Sequence, residues 1–229
     1  MPETDCAQPL RAMLLVAIAG YVDAYGLLSF GTFVSFMSGN TTQSGAAIGQ
    51  GIVAAALPGL TAVIFFAIGV FAGAMVSLTA GRIAPRLCLA LVAGLIATYM
   101  IVAHDAHLGQ APSIAVLALG MGVLNTTASR VGPEPMNIGY VSGTLNRMAD
   151  HFAYAAIRAP LADARGPGDT HLRRGFVLAG VWSSFFAGAV LSGFATPRFG
   201  TAVLVPPLLL VLTILWFTLN HVVAPQSGA

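Results

Sequence analysis

The sequence predicts an all-α membrane protein with about six transmembrane helices, two further Ser-Gly-broken or re-entrant helices, and two pseudo-symmetric halves read as inverted repeats. Composition, the spacing of apolar runs and a set of repeated motifs predict it. Of 229 residues, 57% are hydrophobic and only 8% are charged, with a mean hydropathy of +0.84. Soluble domains carry roughly 25% charge. A 23.5 kDa globule has too little interior to hide this much apolar surface and too few charges to cover it. The bilayer is therefore the expected solvent.

The N-terminal tail, residues 1–11, is polar and ends at Arg11. Arg11 followed by an apolar stretch containing Ala17-Ile18-Ala19 imitates a signal peptide. Glu3 and Asp5 in the tail, and apolar character running on to Phe36, favour a retained first helix. Six runs approach the ~20 residues that cross a bilayer: Ala12 to Phe30, Leu57 to Leu78, Leu87 to Ala103, Ser113 to Ser129, Phe176 to Ala195 and Thr201 to Leu219. Two others, Phe33 to Gly49 and Met136 to Ile157, are interrupted by Ser-Gly, Asn and Thr, the second also by Arg147, Asp150 and His151. The bundle then covers residues 12–222, in halves of about 12–105 and 112–222, before a C-terminal tail, 223–229.

Charge sets the expected orientation. The chain has ten Arg and no Lys, scattered singly rather than gathered into a nucleic-acid patch. With six crossings and a cytoplasmic N-terminus, Arg198 alone falls outside, as positively charged residues on the cytoplasmic side require. With eight crossings Arg82, Arg86 and Arg130 move outside too. Six is preferred on charge, and eight stays open, because neighbouring helices can satisfy the backbone of a broken span.

Motifs recur in order. Gly20-Tyr21-Val22-Asp23 is echoed by Gly122-Val123-Leu124-Asn125 at an offset of 102, and Phe36-Met37-Ser38-Gly39 by Tyr140-Val141-Ser142-Gly143 at 104. Phe71 to Ser77 is echoed by Phe186 to Ser192 at 115. Three crossings per half make the repeat inverted, whereas four make it parallel. Paired discontinuous segments in two inverted halves are a sequence pointer to a transporter site.

The runs Gly20-Tyr21-Val22-Asp23-Ala24 and Phe33-Val34-Ser35-Phe36-Met37-Ser38-Gly39-Asn40-Thr41-Thr42 resemble the opening signature of the YoaK-like family, a domain-of-unknown-function family of small bacterial membrane proteins. Leu124-Asn125 with Arg130, and Val141 to Leu145, resemble its second signature, so the resemblance covers nearly the whole chain. It implies a multi-pass protein of the bacterial inner membrane and brings no substrate or catalytic residue. Val131-Gly132-Pro133-Glu134-Pro135 departs from the family pattern.

Asp23 is the sharpest candidate, because an acid near mid-span costs about 2.5–3.5 kcal/mol on insertion scales. It reads either as a proton- or cation-binding carboxylate or as an acceptor for backbone exposed where the next segment breaks. Asn125, its counterpart, reads as a partner in one shared cation site or as polar glue between helices. Ser38, Gly39, Asn40 and Thr41, with Ser142, Gly143 and Thr144, read as unwound substrate- or ion-binding backbone or as close helix crossings. Arg130 reads as a substrate contact or, more often for such a position, as a cation snorkelling to lipid phosphate; His151 is expected to be solvated, and Arg147 stays open between a substrate- or ion-binding role, if its segment dips into the membrane, and a solvated helix end. Gly69, Gly73, Gly188 and Gly193 read as packing positions, and Trp182 and Trp216 as anchors.

Neither Cys6 and Cys88 nor His104-Asp105-Ala106-His107 has spacing that makes a convincing metal site, and no cofactor or nucleic-acid partner is implied. Without HExxH, GxSxG or a plausible Cys/His pair, an intramembrane enzyme is not expected. The leading reading is a small secondary transporter or permease for an unknown small solute, dimeric if one chain is too small to enclose a pathway. The alternative is a non-transporting scaffold or accessory subunit whose small-residue faces dock a partner.

Overall fold

The computed structural model describes residues 7–105, 109–127, 130–131, 134–135, 141–166 and 168–220. Eight α-helices carry the described chain: α1 (Ala7–Phe30), α2 (Met37–Gly49), α3 (Val53–Thr79), α4 (Ala84–Asp105), α5 (Gln110–Thr126), α6 (Val141–Ala156), α7 (His171–Phe199) and α8 (Val205–Asn220). A two-residue antiparallel ladder, β1 (Arg130–Val131) with β2 (Glu134–Pro135), follows α5. Each predicted apolar run is carried by an α-helix, the fourth ending at Thr126 and the sixth entering α8 at Val205 after a 3₁₀ turn, and α1 begins five residues before the expected start at Ala12.

Four stretches are long and apolar enough to cross a membrane: Pro9–Phe30, Val53–Thr79, Gly81–Ala103 and the 50-residue His171–Asn220. The last contains both α7 and α8, separated by a 3₁₀ turn over Gly200–Leu204. Helix α5 has 17 residues and reaches about 26 Å at 1.5 Å per residue, a little short of the ~30 Å hydrocarbon core. The outer surface is apolar, with Leu78 81% exposed and Phe71, Ile101, Phe176, Phe194 and Trp216 also outward. Large exposed apolar area on a helical bundle is the signature of a lipid-facing surface. Inside, Leu15, Ile18 and Val22 of α1 pack with Leu89, Val92 and Ile96 of α4, Leu117 and Leu124 of α5, and Val181, Val211 and Ile214.

Side-chain contacts fix the helix directions. The Tyr25 and Tyr99 hydroxyls share a 2.6 Å hydrogen bond, placing the C-terminal parts of α1 and α4 together. Gln110 at the start of α5 donates to the Phe30 carbonyl at 2.8 Å, so α5 begins where α1 finishes. At the opposite end, Cys88 of α4 sits 3.9 Å from both the Gly73 carbonyl and the Thr126 hydroxyl. Ala62 packs with Ile114 and Ala118, so α3 and α5 run parallel and α3 also starts at the Phe30 end. The chain thus leaves α1 and enters α3 at one end, and α2 lies entirely within that interval.

Four glycines set the two closest crossings. A β-carbon on Gly20 would overlap the Phe185 carbonyl, and one on Gly188 the Ala17 carbonyl, so α1 and α7 meet backbone to backbone. In the same manner Gly122 meets the Phe66 carbonyl and Gly69 the Leu119 carbonyl between α5 and α3. Small residues permit this approach, which gains dispersion and weak C–H···O contacts that larger residues forbid. Gly73 is filled by Thr126, whereas Gly193 faces open space and is not the packing position its sequence context suggests.

Candidate functional site

The polar heart of the bundle is a reversal between α1 and α2. After Phe30 the chain turns at Gly31, whose φ of +68° favours glycine, and runs back as residues 32–36 without helical structure. Asp23 lies seven residues before the end of α1, about 10 Å inward, and is 3% exposed. Its Oδ1 accepts from the Val34 amide at 2.8 Å and the Ser35 amide at 2.7 Å. The Phe36 amide and Ser35 hydroxyl also face the carboxylate, but Ser35 Oγ, itself buried, completes no hydrogen bond. A buried acid is tolerated because it satisfies donors that non-helical backbone leaves without partners.

Asn40, fully buried, braces the same reversal. Its Nδ2 donates to the Phe33 carbonyl at 2.7 Å and its Oδ1 accepts from the Phe33 amide at 3.2 Å, as a neighbouring strand would. Ser44 donates to the Ala56 carbonyl at 3.1 Å, and Gly59 nests against Ser44 and Asn40. Helix α2 therefore runs antiparallel to the start of α3. Its first turn lies at the depth of Asp23 and its last turn returns to the Phe30 end.

The Ser-Gly steps are not the breaks. Ser38, Gly39 and Thr41 lie inside continuous α2, where the Thr41 and Thr42 hydroxyls return to the Met37 and Ser38 carbonyls at 2.8 and 3.0 Å. Gly39 makes room for the Phe36 ring, and Ser38 is exposed. Ser142, Gly143 and Thr144 likewise occupy the first turn of α6, with only Thr144 buried. The non-helical stretch precedes α2, because the polar groups that reward unwinding are the amides of Val34 and Ser35.

Asp23 and Asn125 do not share a site. Tyr25, two residues beyond Asp23, lies with Tyr99 and Ser113, whereas Asn125 is twelve residues further along α5, about 18 Å on, beside Thr126 at the opposite end. The Arg130 side chain and residues 136–140, the counterpart of the reversal, lie outside the described residues.

A second polar cluster occupies the Arg11 end, where Arg147, Asp150, His151 and Tyr154 of α6 meet His171 and Arg174 of α7 and residues 159–163 of the loop between them around a cleft of about 400 Å³. Arg174, 5% exposed, holds Asp163 through Nη1 at 3.0 Å and Asp169 through Nη2 at 2.8 Å, with Nε adding a 2.9 Å bond to Asp169. The guanidinium contact holds the Asp169 carboxyl down at about 2, and also lowers that of Asp163. His151 is half-buried rather than solvated: its Nδ1 lies 2.8 Å from His171 Nδ1, and Tyr154 stacks on His171 with centroids 5.0 Å apart. Arg147 lines the cleft. Sequence reading missed His171, Tyr154, Arg174 and the two acids; Arg173-Arg174 offered only a topology signal.

An outward-facing apolar surface over an interior with a buried polar reversal defines a multi-pass helical membrane protein. Residues 11–217 match the family described as protein of unknown function (DUF1275), and the chain belongs to that family. It is similar to UPF0700 transmembrane protein RA0705 of Rhizobium meliloti (strain 1021), with 33% identity over 130 residues, 57% of this chain. The match spans 55% of that protein's length. No solved structure matches.

Proposed function

We propose that this chain is a small permease of the bacterial inner membrane, moving a small solute coupled to a proton or another cation at Asp23. In this reading six helices cross, α2 and α6 enter and leave on one side each, and the two halves are inverted copies. The observation that carries the reading is the burial of Asp23 against the unwound entrance of a half-helix whose first turn lies inside the bundle. Intramembrane acids and discontinuous helices together favour a solute or ion pathway.

The inverted arrangement draws support from packing. α1 meets α7 as α5 meets α3, and each crossing places one glycine against a backbone carbonyl of the other helix in both directions. Equating the crossings pairs Phe66 with Phe185 and Gly69 with Gly188, one helical turn away from the pairing of Phe71 with Phe186 suggested by sequence. The same glycine faces weaken the scaffold reading, since contacts within the chain already occupy them.

Proteoliposomes holding the full chain and an internal pH-sensitive dye test the proposal against a panel of amino acids, sugars, carboxylates and polyamines. Wild type is expected to couple proton movement to at least one class, and Asp23→Asn to lose at least ten-fold in rate. Equal rates in the two proteins, or no solute-dependent flux in either, would overturn it.

A further inference from the structure

We propose that the cleft between α6, α7 and residues 159–163 binds a tetrahedral oxyanion, a phosphate- or sulfate-like group, and takes up a proton on the His151–His171 pair as it does so. The starting point is the 2.8 Å contact between two Nδ1 atoms. Such a contact needs one N–H and one lone pair, so the two rings hold a single proton between their Nδ1 positions. An oxyanion offers only acceptors. To bond it through the two Nδ1 atoms, both rings must donate there, and the ring that served as acceptor, which already carries its own proton on Nε2, takes a second proton from solvent at Nδ1 and becomes an imidazolium. Beside an anion the imidazolium is the favoured form.

The surroundings suit that exchange. Arg147 adds a guanidinium to the same wall, one helical turn before His151. The two loop acids are already matched to a cation: Asp163 is held by both oxygens at 3.0 and 3.1 Å, and Asp169 by both oxygens at 2.9 and 2.8 Å. Asp150 is exposed, where water screens it. Among charged groups on α7 itself, Arg173 is exposed and Arg174 is committed to the acids. His171 is the first residue of the 29-residue α7, so the positive end of the helix dipole faces the cleft. Tyr154, stacked on His171, fixes that ring's plane.

Two sources present this chemistry at a membrane surface, a soluble oxyanion and a phospholipid headgroup. Sulfate is the first probe, because its charge is constant from pH 6 to pH 8. Titrated calorimetrically into the full chain in non-ionic detergent, it is expected to bind at least ten-fold tighter at pH 6 than at pH 8, with net proton uptake read from buffers of different ionisation enthalpy. His171→Gln should abolish the pH dependence, and His151→Gln provides the same test should the first variant misfold. In nanodiscs, displacement of sulfate when phosphatidylglycerol replaces phosphatidylcholine assigns the site to a headgroup, and its persistence assigns a soluble anion. Absence of sulfate binding together with no phosphatidylglycerol retention overturns the proposal. So does an affinity that is the same at both pH values, or one whose pH dependence survives both substitutions.

Discussion

Asp23 does two jobs that substitution can separate. Its Oδ1 closes two backbone amides, and an asparagine at that position offers an oxygen of the same geometry without the charge. Asp23→Asn is therefore expected to melt within about 1 kcal/mol of wild type in detergent. Asp23→Ala leaves both amides without an acceptor in the interior, and each unsatisfied buried donor costs about 1–3 kcal/mol. The expected loss is about 2–6 kcal/mol, read by thermal or denaturant unfolding. If the alanine variant is as stable as the asparagine variant, the carboxylate is not holding the reversal. A stable Asp23→Asn is also what makes its flux measurement informative, since lost transport then reflects lost charge.

At the scale of elements, the crossings of α3 with α5 and α1 with α7 depend on absent side chains. A β-carbon at Gly69 or Gly122 would drive into a backbone carbonyl of the opposing helix, and backbone cannot rotate aside as a side chain does. Gly69→Val or Gly122→Val should cost more than about 3 kcal/mol through overpacking. Gly45→Ala in α2, where nothing lies within 4 Å, should be neutral or stabilising by up to about 1 kcal/mol. Folded yield after size exclusion and melting temperature in detergent distinguish the two classes, and equal tolerance would refute the tight crossings.

The same elements mark what was legible in the sequence. Apolar run length located the long helices because lipid demands it of every crossing. The Ser-Gly steps located the odd helices but not their break, since glycine inside α2 is a packing residue under the Phe36 ring while residues 32–36 unwind to reach Asp23. The cleft histidines were illegible. His151 and His171 lie on different helices, and the packing of α6 on α7, with the Phe152 ring against Gly175 and Phe176, brings them together.

For the whole molecule the proposed arrangement commits α2 to returning to the side from which it entered. The contacts Tyr25–Tyr99 and Gln110–Phe30 put the ends of α1 and α4 and the start of α5 at one face, the arrangement that the proposed six crossings require. Single cysteines at Gln50, Gly109, Arg82 and Ala164, all exposed, in a chain lacking Cys6 and Cys88, test this with a membrane-impermeant thiol reagent on intact and opened cells. Six crossings predict that Gln50 and Gly109 react from outside and that Arg82 and Ala164 react only after opening. Eight crossings invert three of these four: Gln50, Gly109 and Ala164 would all lie inside, with Arg82 outside. Gln50 is decisive, because it follows α2 directly. Should it share a side with Ala164, α2 is a full span, the halves are parallel rather than inverted, and Asp23 no longer lies at the mouth of a re-entrant half-helix.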